Sequence, residues 1–377
     1  MTASPPNPDQ VEVTLFGPGI GECCLIHLGD YQWAVVDSCV IGGYAESVAL
    51  SYLREIGMEP SNAVRLVVAT NWHDDHIRGL ASLLESCPMA RFCCSSALTQ
   101  LEFLATVLPY ERRNLIAGGS GVTELFEVLR TVERPRVSGR GVIRASANRR
   151  IFFRAGSESG SGSACEVWTL SPSDRQIEMF YRELTRLMPS IRETKRRVVA
   201  QRPNHTSVVT WIRIGGSELL LGADLEETGD PETGWTVIVN STDRPQGRAQ
   251  VFKVAHHGSA NGHHPGVWER MLIKHPFAIL APYNRGRKKL PDKSDVGRIT
   301  ALTPHAYSSS RITAGRTRLR RPAPVERTVR ETVGFLKGVN QTTSRITLRN
   351  GGAAGPATWD VRLTGQACNL LSVHDAH

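Results

Sequence analysis

No uninterrupted apolar stretch in the 377 residues approaches the roughly 18 that a membrane-spanning helix needs, so no membrane partner is expected. The opening MTASPPNPDQ has neither a basic n-region nor an apolar h-region, which gives the cytoplasm as the expected location. CxxC spacing is missing too. The 8 cysteines, including the adjacent pairs Cys23-Cys24 and Cys93-Cys94, lie mostly in apolar strand-like runs and are assigned to packing as free thiols. There is no internal repeat and no heptad. A nucleophilic thiol is disfavoured too, because nothing in GECC or FCCS supplies a basic partner, and no Ser-His-Asp or Cys-His arrangement is needed. What is present is globular: 40% apolar and 21% charged residues, in a length that suits one large domain or two modest ones.

The formal charge of +9 is unevenly spread. Segment 191–202 sets Arg192, Lys195, Arg196, Arg197 and Arg202 against Glu193. Segment 285–293 sets Arg285, Arg287, Lys288, Lys289 and Lys293 against Asp292, and 311–330 carries seven arginines against Glu326. Basicity concentrated this way suits a polyanionic partner such as nucleic acid or a nucleotide, with solvated loop charge as the plain alternative.

The first third alternates short apolar runs with amphipathic stretches, the pattern of a layered α/β fold. Strands are expected over 11–16, 23–28, 32–37, 64–70 and 90–94, and helices over 44–56 and 77–85. From about 97 to 198 the pattern turns helical (98–108, 122–132, 174–187), broken by a Gly/Ser loop at 156–163. Strand signals return at 207–214, 218–222, 251–255 and 277–281. A Pro/Arg-rich stretch at 311–325 precedes an expected helix over 325–336 and a hairpin of 344–348 with 358–363. The expected organisation is one domain over 1–310 with a helical insertion, and a basic C-terminal extension over 311–377 packing on it.

The densest chemistry is NWHDDHIRG at 71–79, directly after a strand-like run. His73, Asp74, Asp75 and His76 crowd two imidazoles and two carboxylates into four positions, which is costly unless a cation offsets the charge and uses the lone pairs. A polar turn capping a helix is the plain alternative. Four further motifs accompany it, each beside a strand end: VVDSC at 35–39, NHTS at 204–207, GADLE at 222–226 and KVAHHGS at 253–259. Together the five resemble the metallo-β-lactamase superfamily and, within it, the soluble hydrolase domain of ComEC-type competence proteins.

That resemblance implies an αββα sandwich and a metal site built on an HxHxDH motif, whose first histidine is replaced here by Asn71. By position, Asp75, His76, Asp224 and one histidine of HHGS, with His256 preferred over His257, are implied to hold one divalent ion. The other position retains His73, the bridging Asp224 and His205, but Asn71 offers only a neutral amide. An amide oxygen is a poorer zinc ligand than imidazole, whereas oxygen-rich sites suit harder ions. One strong site for Zn²⁺ or Mn²⁺ and a second that is weak or absent are therefore expected. The mono-zinc subclass of metallo-β-lactamases also has Asn here, so the replacement is compatible with activity. Asp37 is implied to hydrogen-bond ligand imidazoles, and Asn71, Asn204 and Ser207 to position loops or substrate. Asp74 needs no ligand role, His263 and His264 are expected to face solvent or substrate, and His27, His275 and His305 are assigned structural roles.

The chemistry expected of such a site is hydrolysis by an activated water, with Asp75 or Asp224 accepting its proton. The likeness to ComEC and the basic segments flanking the motifs point to a phosphodiester in nucleic acid or a nucleotide. Arg285, Arg287, Lys288 and Lys289 are the expected phosphate contacts, with Tyr283 and Tyr307 as base-stacking surfaces. Two other classes stay open: hydrolysis of a small thioester or lactone, and a catalytically impaired partner subunit in a bacterial defence or DNA-uptake system.

Overall fold

Runs of β-branched, aromatic and aliphatic residues build two eight-stranded mixed sheets that face each other between layers of helix. The computed structural model describes residues 4–41, 46–99, 121–133, 141–156, 163–187, 203–285, 289–312, 325, 332, 343–350 and 359–374. Strands in the first half are β1 (Glu12–Phe16), β2 (Cys23–His27), β3 (Trp33–Val36), β4 (Val64–Ala69), β5 (Arg91–Ser95), β6 (Ile143–Ala145), β7 (Arg149–Arg154) and β8 (Cys165–Thr169). The second half adds β9 (Thr210–Ile214), β10 (Ser217–Leu221), β11 (Ala249–Lys253), β12 (Leu272–Leu280), β13 (Ala306–Ser308), β14 (Arg345–Asn350), β15 (Trp359–Thr364) and β16 (Cys368–Asn369).

The first sheet runs β15-β14-β1-β2-β3-β4-β5-β6 and the second β16-β13-β12-β11-β10-β9-β8-β7. Each contains an antiparallel meander, β1-β2-β3 or β8-β9-β10, that gives way to parallel strands at β3-β4 or β10-β11. The loops at the carboxyl ends of those four strands carry the VVDSC, NWHDDH, GADLE and KVAHHGS motifs. Crevices outside the carboxyl ends of parallel strands, where connectivity changes, are where α/β sheets place ligands.

Three apolar layers hold this frame. Val13, Ile26 and Leu66 of one sheet meet Val167, Ile212 and Val251 of the other between the sheets. Leu53, Leu83 and Leu129 from helices Val48–Glu55, Leu80–Ser86 and Gly121–Glu133 cover the outer face of the first sheet. Trp235 and Ile299 from helices Gly234–Asn240 and Lys293–Leu302 cover Trp211, Leu220 and Phe252 of the second. Each such side chain contributes about 1.5–3 kcal/mol on burial. Local signals set the helix starts: the Ser47 hydroxyl caps one, and Asp292 and Asp295 form a reciprocal capping box on another. All eight cysteines are unpaired, and seven of them are buried.

Two expectations need correction. Segment 97–198 is not simply helical, because β6, β7 and β8 lie in it and extend both sheets. Nor does 311–377 merely pack on a finished domain: β14 pairs with all five residues of β1, and β16 pairs with β13. Without that pairing the β1 edge would stay open. The segments 191–202 and 313–324, most of the expected helices 98–108 and 325–336, and Arg287 and Lys288 lie outside the described residues. Among the described residues, no helix is long and apolar enough to cross a membrane.

Candidate metal centre

Four side chains from three loops converge at the sheet ends: one ligand atom each from Asp75, His76, Asp224 and His257 lies within 4.8 Å of the others. Asp75 and His76 sit in a single helical turn, Asp74–Ile77, four residues after β4 ends. Asp224 follows β10, and His257 lies in the tight turn after β11.

The imidazoles are oriented from behind. His76 Nδ1 lies 2.8 Å from Asp37 Oδ2, and His257 Nδ1 lies 2.9 Å from the Ala281 carbonyl oxygen. Both partners accept, so each Nδ1 donates, which leaves Nε2 of each ring turned to the centre as the atom a cation would take. His76 Nε2 is 3.1 Å from Asp224 Oδ2, and His257 Nε2 is 3.4 Å from Asp75 Oδ2. Asp37 is fixed in turn by the Thr70 amide (2.7 Å) and hydroxyl (2.6 Å).

Electrostatics at the centre are unbalanced. Glu22, Asp37 and Asp224 are buried beside Asp75, and the cation set among them is Lys253, paired with Glu22. Burial opposes charging of His76, yet the carboxylates of Asp224, Asp37, Asp75 and Glu22 outweigh it and hold its pKa well above the ordinary value. His257 is raised for the same reasons, burial opposing and Asp224 and Asp75 prevailing. Burial likewise opposes ionisation of Asp224 and Asp75, but the facing imidazoles hold both carboxyls low. His76 Nε2 and Asp224 Oδ1 are buried without a hydrogen-bond partner. A buried polar atom without a partner is costly, and a cation that takes the place of the imidazole proton would remove that cost and offset the carboxylates. Two imidazole nitrogens and two carboxylates thus fit a divalent ion.

Strain concentrates here. Of the eight described non-glycine residues with positive φ, Asp37 (61°), Ala223 (48°), His256 (47°) and His257 (53°) belong to the motifs. Such conformations persist only where the surroundings enforce them, and they cluster at functional sites.

The histidine brought to the cluster is His257, not the preferred His256. Two consecutive left-handed residues turn the His256 ring aside, where Nδ1 meets Asn261 Oδ1 (2.9 Å) and Nε2 meets Asn204 Nδ2 (3.3 Å). Asn71 is likewise committed elsewhere: its Oδ1 accepts from the Trp72 (2.7 Å) and His73 (3.3 Å) amides, and its Nδ2 donates to Asn204 Oδ1 (2.9 Å). Asn204 also donates to Glu226 Oε1 (2.8 Å), so the amides knit these loops together. His73 and His205 are not in the cluster. Burial lowers the His73 pKa, and the His205 carbonyl accepts from the Gln176 side chain. The Ser207 carbonyl accepts from Ser171 Oγ at 2.6 Å.

Asp75 is the partly open member of the cluster, 12% exposed against 0% for His76. The half-buried Tyr283 ring lies against His257, with centroids 5.4 Å apart, and Arg285 Nη1 is 3.9 Å from Asp74 Oδ2. Tyr307 packs instead beside the inter-sheet core. Sequence reasoning missed Glu22 and Lys253, whose proximity to the ligands arises only when β2 and β11 are brought together.

No family model matches the chain, and no curated protein matches it. Solved structures similar to it include the metallo-β-lactamase fold protein YhfI from Bacillus subtilis, at 12% identity and a TM-score of 0.38, covering 79% of this chain and 95% of that one. The subclass B3 metallo-β-lactamase MEM-A1, isolated from a soil metagenome library, is similar at 14% identity and a TM-score of 0.32, covering 65% and 78%. CmlA, a diiron β-hydroxylase from Streptomyces venezuelae, is similar at 13% identity and a TM-score of 0.33, covering 66% of this chain and 35% of that longer one.

Proposed function

We propose that the chain is a metal-dependent hydrolase of the metallo-β-lactamase superfamily, ComEC-like in its motifs, that cleaves phosphodiester bonds in nucleic acid. The carrying observation is the convergence of Asp75, His76, Asp224 and His257, with His76 Nε2 and Asp224 Oδ1 buried without a hydrogen-bond partner. These four residues hold one Zn²⁺ or Mn²⁺. A divalent ion there supplies Lewis acidity and brings the pKa of a water toward neutrality. Asp224, His76 and His257 are buried and would serve only to bind, whereas Asp75, besides binding, borders the opening, where its carboxylate would accept a proton.

A second ion has little to hold it, since Asn71 and His256 are engaged in the amide network and His73 stands apart from the cluster. The substrate class rests on charge: Arg285 beside the mouth, and the basic stretches on either side of the motifs, suit phosphates flanking the scissile bond. The test is an assay of purified chain on single- and double-stranded DNA and RNA with Mn²⁺, Mg²⁺ or Zn²⁺. Cleavage that needs metal, disappears in Asp75→Ala and His76→Ala and weakens with salt is expected. Cleavage surviving both substitutions, or turnover of thioesters and lactones alone, overturns the reading.

A further inference from the structure

Behind the candidate ligands lies an ion pair that the metal reading does not use. Lys253 and Glu22 are each 3% exposed, with the ammonium paired to Glu22 Oε1. A buried ion pair is a weak source of stability, since apolar residues of similar volume often do as well. Its placement calls for another reason, and the side-chain contacts of the pair reach His76, His257 and the Ala223 peptide. Glu22 Oε1 is 3.6 Å from His76 Nδ1, and Oε2, which has no hydrogen-bond partner, is 3.7 Å from His257 Nδ1. The Glu22 amide donates to the Asp75 carbonyl at 2.8 Å. Lys253 Nζ donates to the Ala223 carbonyl at 3.0 Å.

Ala223 immediately precedes Asp224 and is held at φ 48°, a strained conformation for a non-glycine residue. Two donors hold its carbonyl, Lys253 Nζ and the His256 amide at 2.9 Å. The neighbouring Gly222 leaves no slack, because a Cβ there would lie 3.0 Å from the Lys253 carbonyl and 2.9 Å from Ala255 Cβ.

We propose that Lys253 and Glu22 are a linked pair of positioning residues: the ammonium anchors the strained Ala223 peptide that aims Asp224, and the carboxylate stands behind both ligand imidazoles. The proposal rests on the reading of Asp75, His76, Asp224 and His257 as metal ligands.

The experiment is titration of the full chain with Co²⁺, following d–d absorption for ligand geometry and far-UV circular dichroism for the fold. It compares wild type, Lys253→Met, and the paired variant Glu22→Gln with Lys253→Met. The single variant leaves a buried carboxylate unpaired, whereas the paired one replaces both charges by neutral side chains of similar size and is expected to fold. The paired variant is expected to bind Co²⁺ at least about 10-fold more weakly, with altered d–d bands. Wild-type affinity with unchanged bands overturns the proposal. So does loss of the folded circular dichroism signature in the paired variant, which assigns the pair to stability alone. Wild-type chain that binds no Co²⁺ overturns the metal-centre reading instead.

Discussion

His27 and His76 are both completely buried, at opposite ends of the first sheet, and they meet burial in opposite ways. At His27 each ring nitrogen has a neutral partner: Nδ1 donates to the Gln10 carbonyl (2.8 Å) and Nε2 accepts from the Tyr31 amide (3.0 Å). A nitrogen that accepts carries no proton, so that ring is neutral. Burial pushes its pKa from 6.5 down to about 4, with the Gln10 contact opposing and Arg154 and Arg349 assisting. His76 has instead a ring of carboxylates that outweighs burial and raises its pKa. Burial alone therefore does not distinguish the two histidines. The surplus of negative charge around His76 does.

The largest break in this contrast is expected from substitution at the crowded end. His76→Ala should abolish tight Co²⁺ binding, a loss beyond the roughly 10–100-fold typical of supporting residues, while His27→Gln leaves the affinity at its wild-type value; calorimetry on both variants decides it. Equal losses would erase the distinction.

Next in size is the response to acid. The unfolded chain takes up more protons at His27 than the folded one between pH 6.5 and about 4, so stability falls as pH drops through that window. Urea unfolding in EDTA at pH 7 and 4.5 should show wild type losing about 2–3 kcal/mol more than His27→Gln. The raised pKa values of His76 and His257 work in the other sense: their contribution is complete below 6.5 and is lost as pH climbs through the raised values. A His27→Gln difference that stays constant with pH would refute the neutral assignment.

The smallest effect sharpens the comparison between neighbours Asp74 and Asp75. Asp74 pairs with Arg78 at 3.0 Å, and the arginine is 51% exposed, so Arg78→Ala should shift urea stability by less than about 0.5 kcal/mol. A shift several times larger would place that surface pair in the site's framework.

Much of this was legible in the chain. Strands β1 to β5 and β9 to β11 fall close to their expected places because each is rich in apolar and β-branched residues, whereas β12 begins five residues before its expected start, across the polar Lys274 and His275. Strand β6 was missed because it is three residues long, and β7 because charged residues flank its apolar centre. Asp75, His76 and Asp224 were readable because each motif follows a strand end. The choice between His256 and His257 was not, since the backbone at both residues is left-handed, a conformation no spacing rule anticipates. Glu22 and Lys253 carried no signal of their own, because only the meeting of two sheets brings them beside each other.

Strand β1 depends on a partner made very late. Glu12 is fully buried, and its carboxylate is matched by Arg349 of β14, 337 residues onward, with Nε at 2.9 Å. A chain leaving the ribosome thus carries β1 with one bare edge and an uncompensated charge until the hairpin of β14 and β15 arrives. Long-range closure of this kind slows folding and prolongs exposure to aggregation. Deleting the last thirty or so residues would consequently unmake the sheet from its oldest strand.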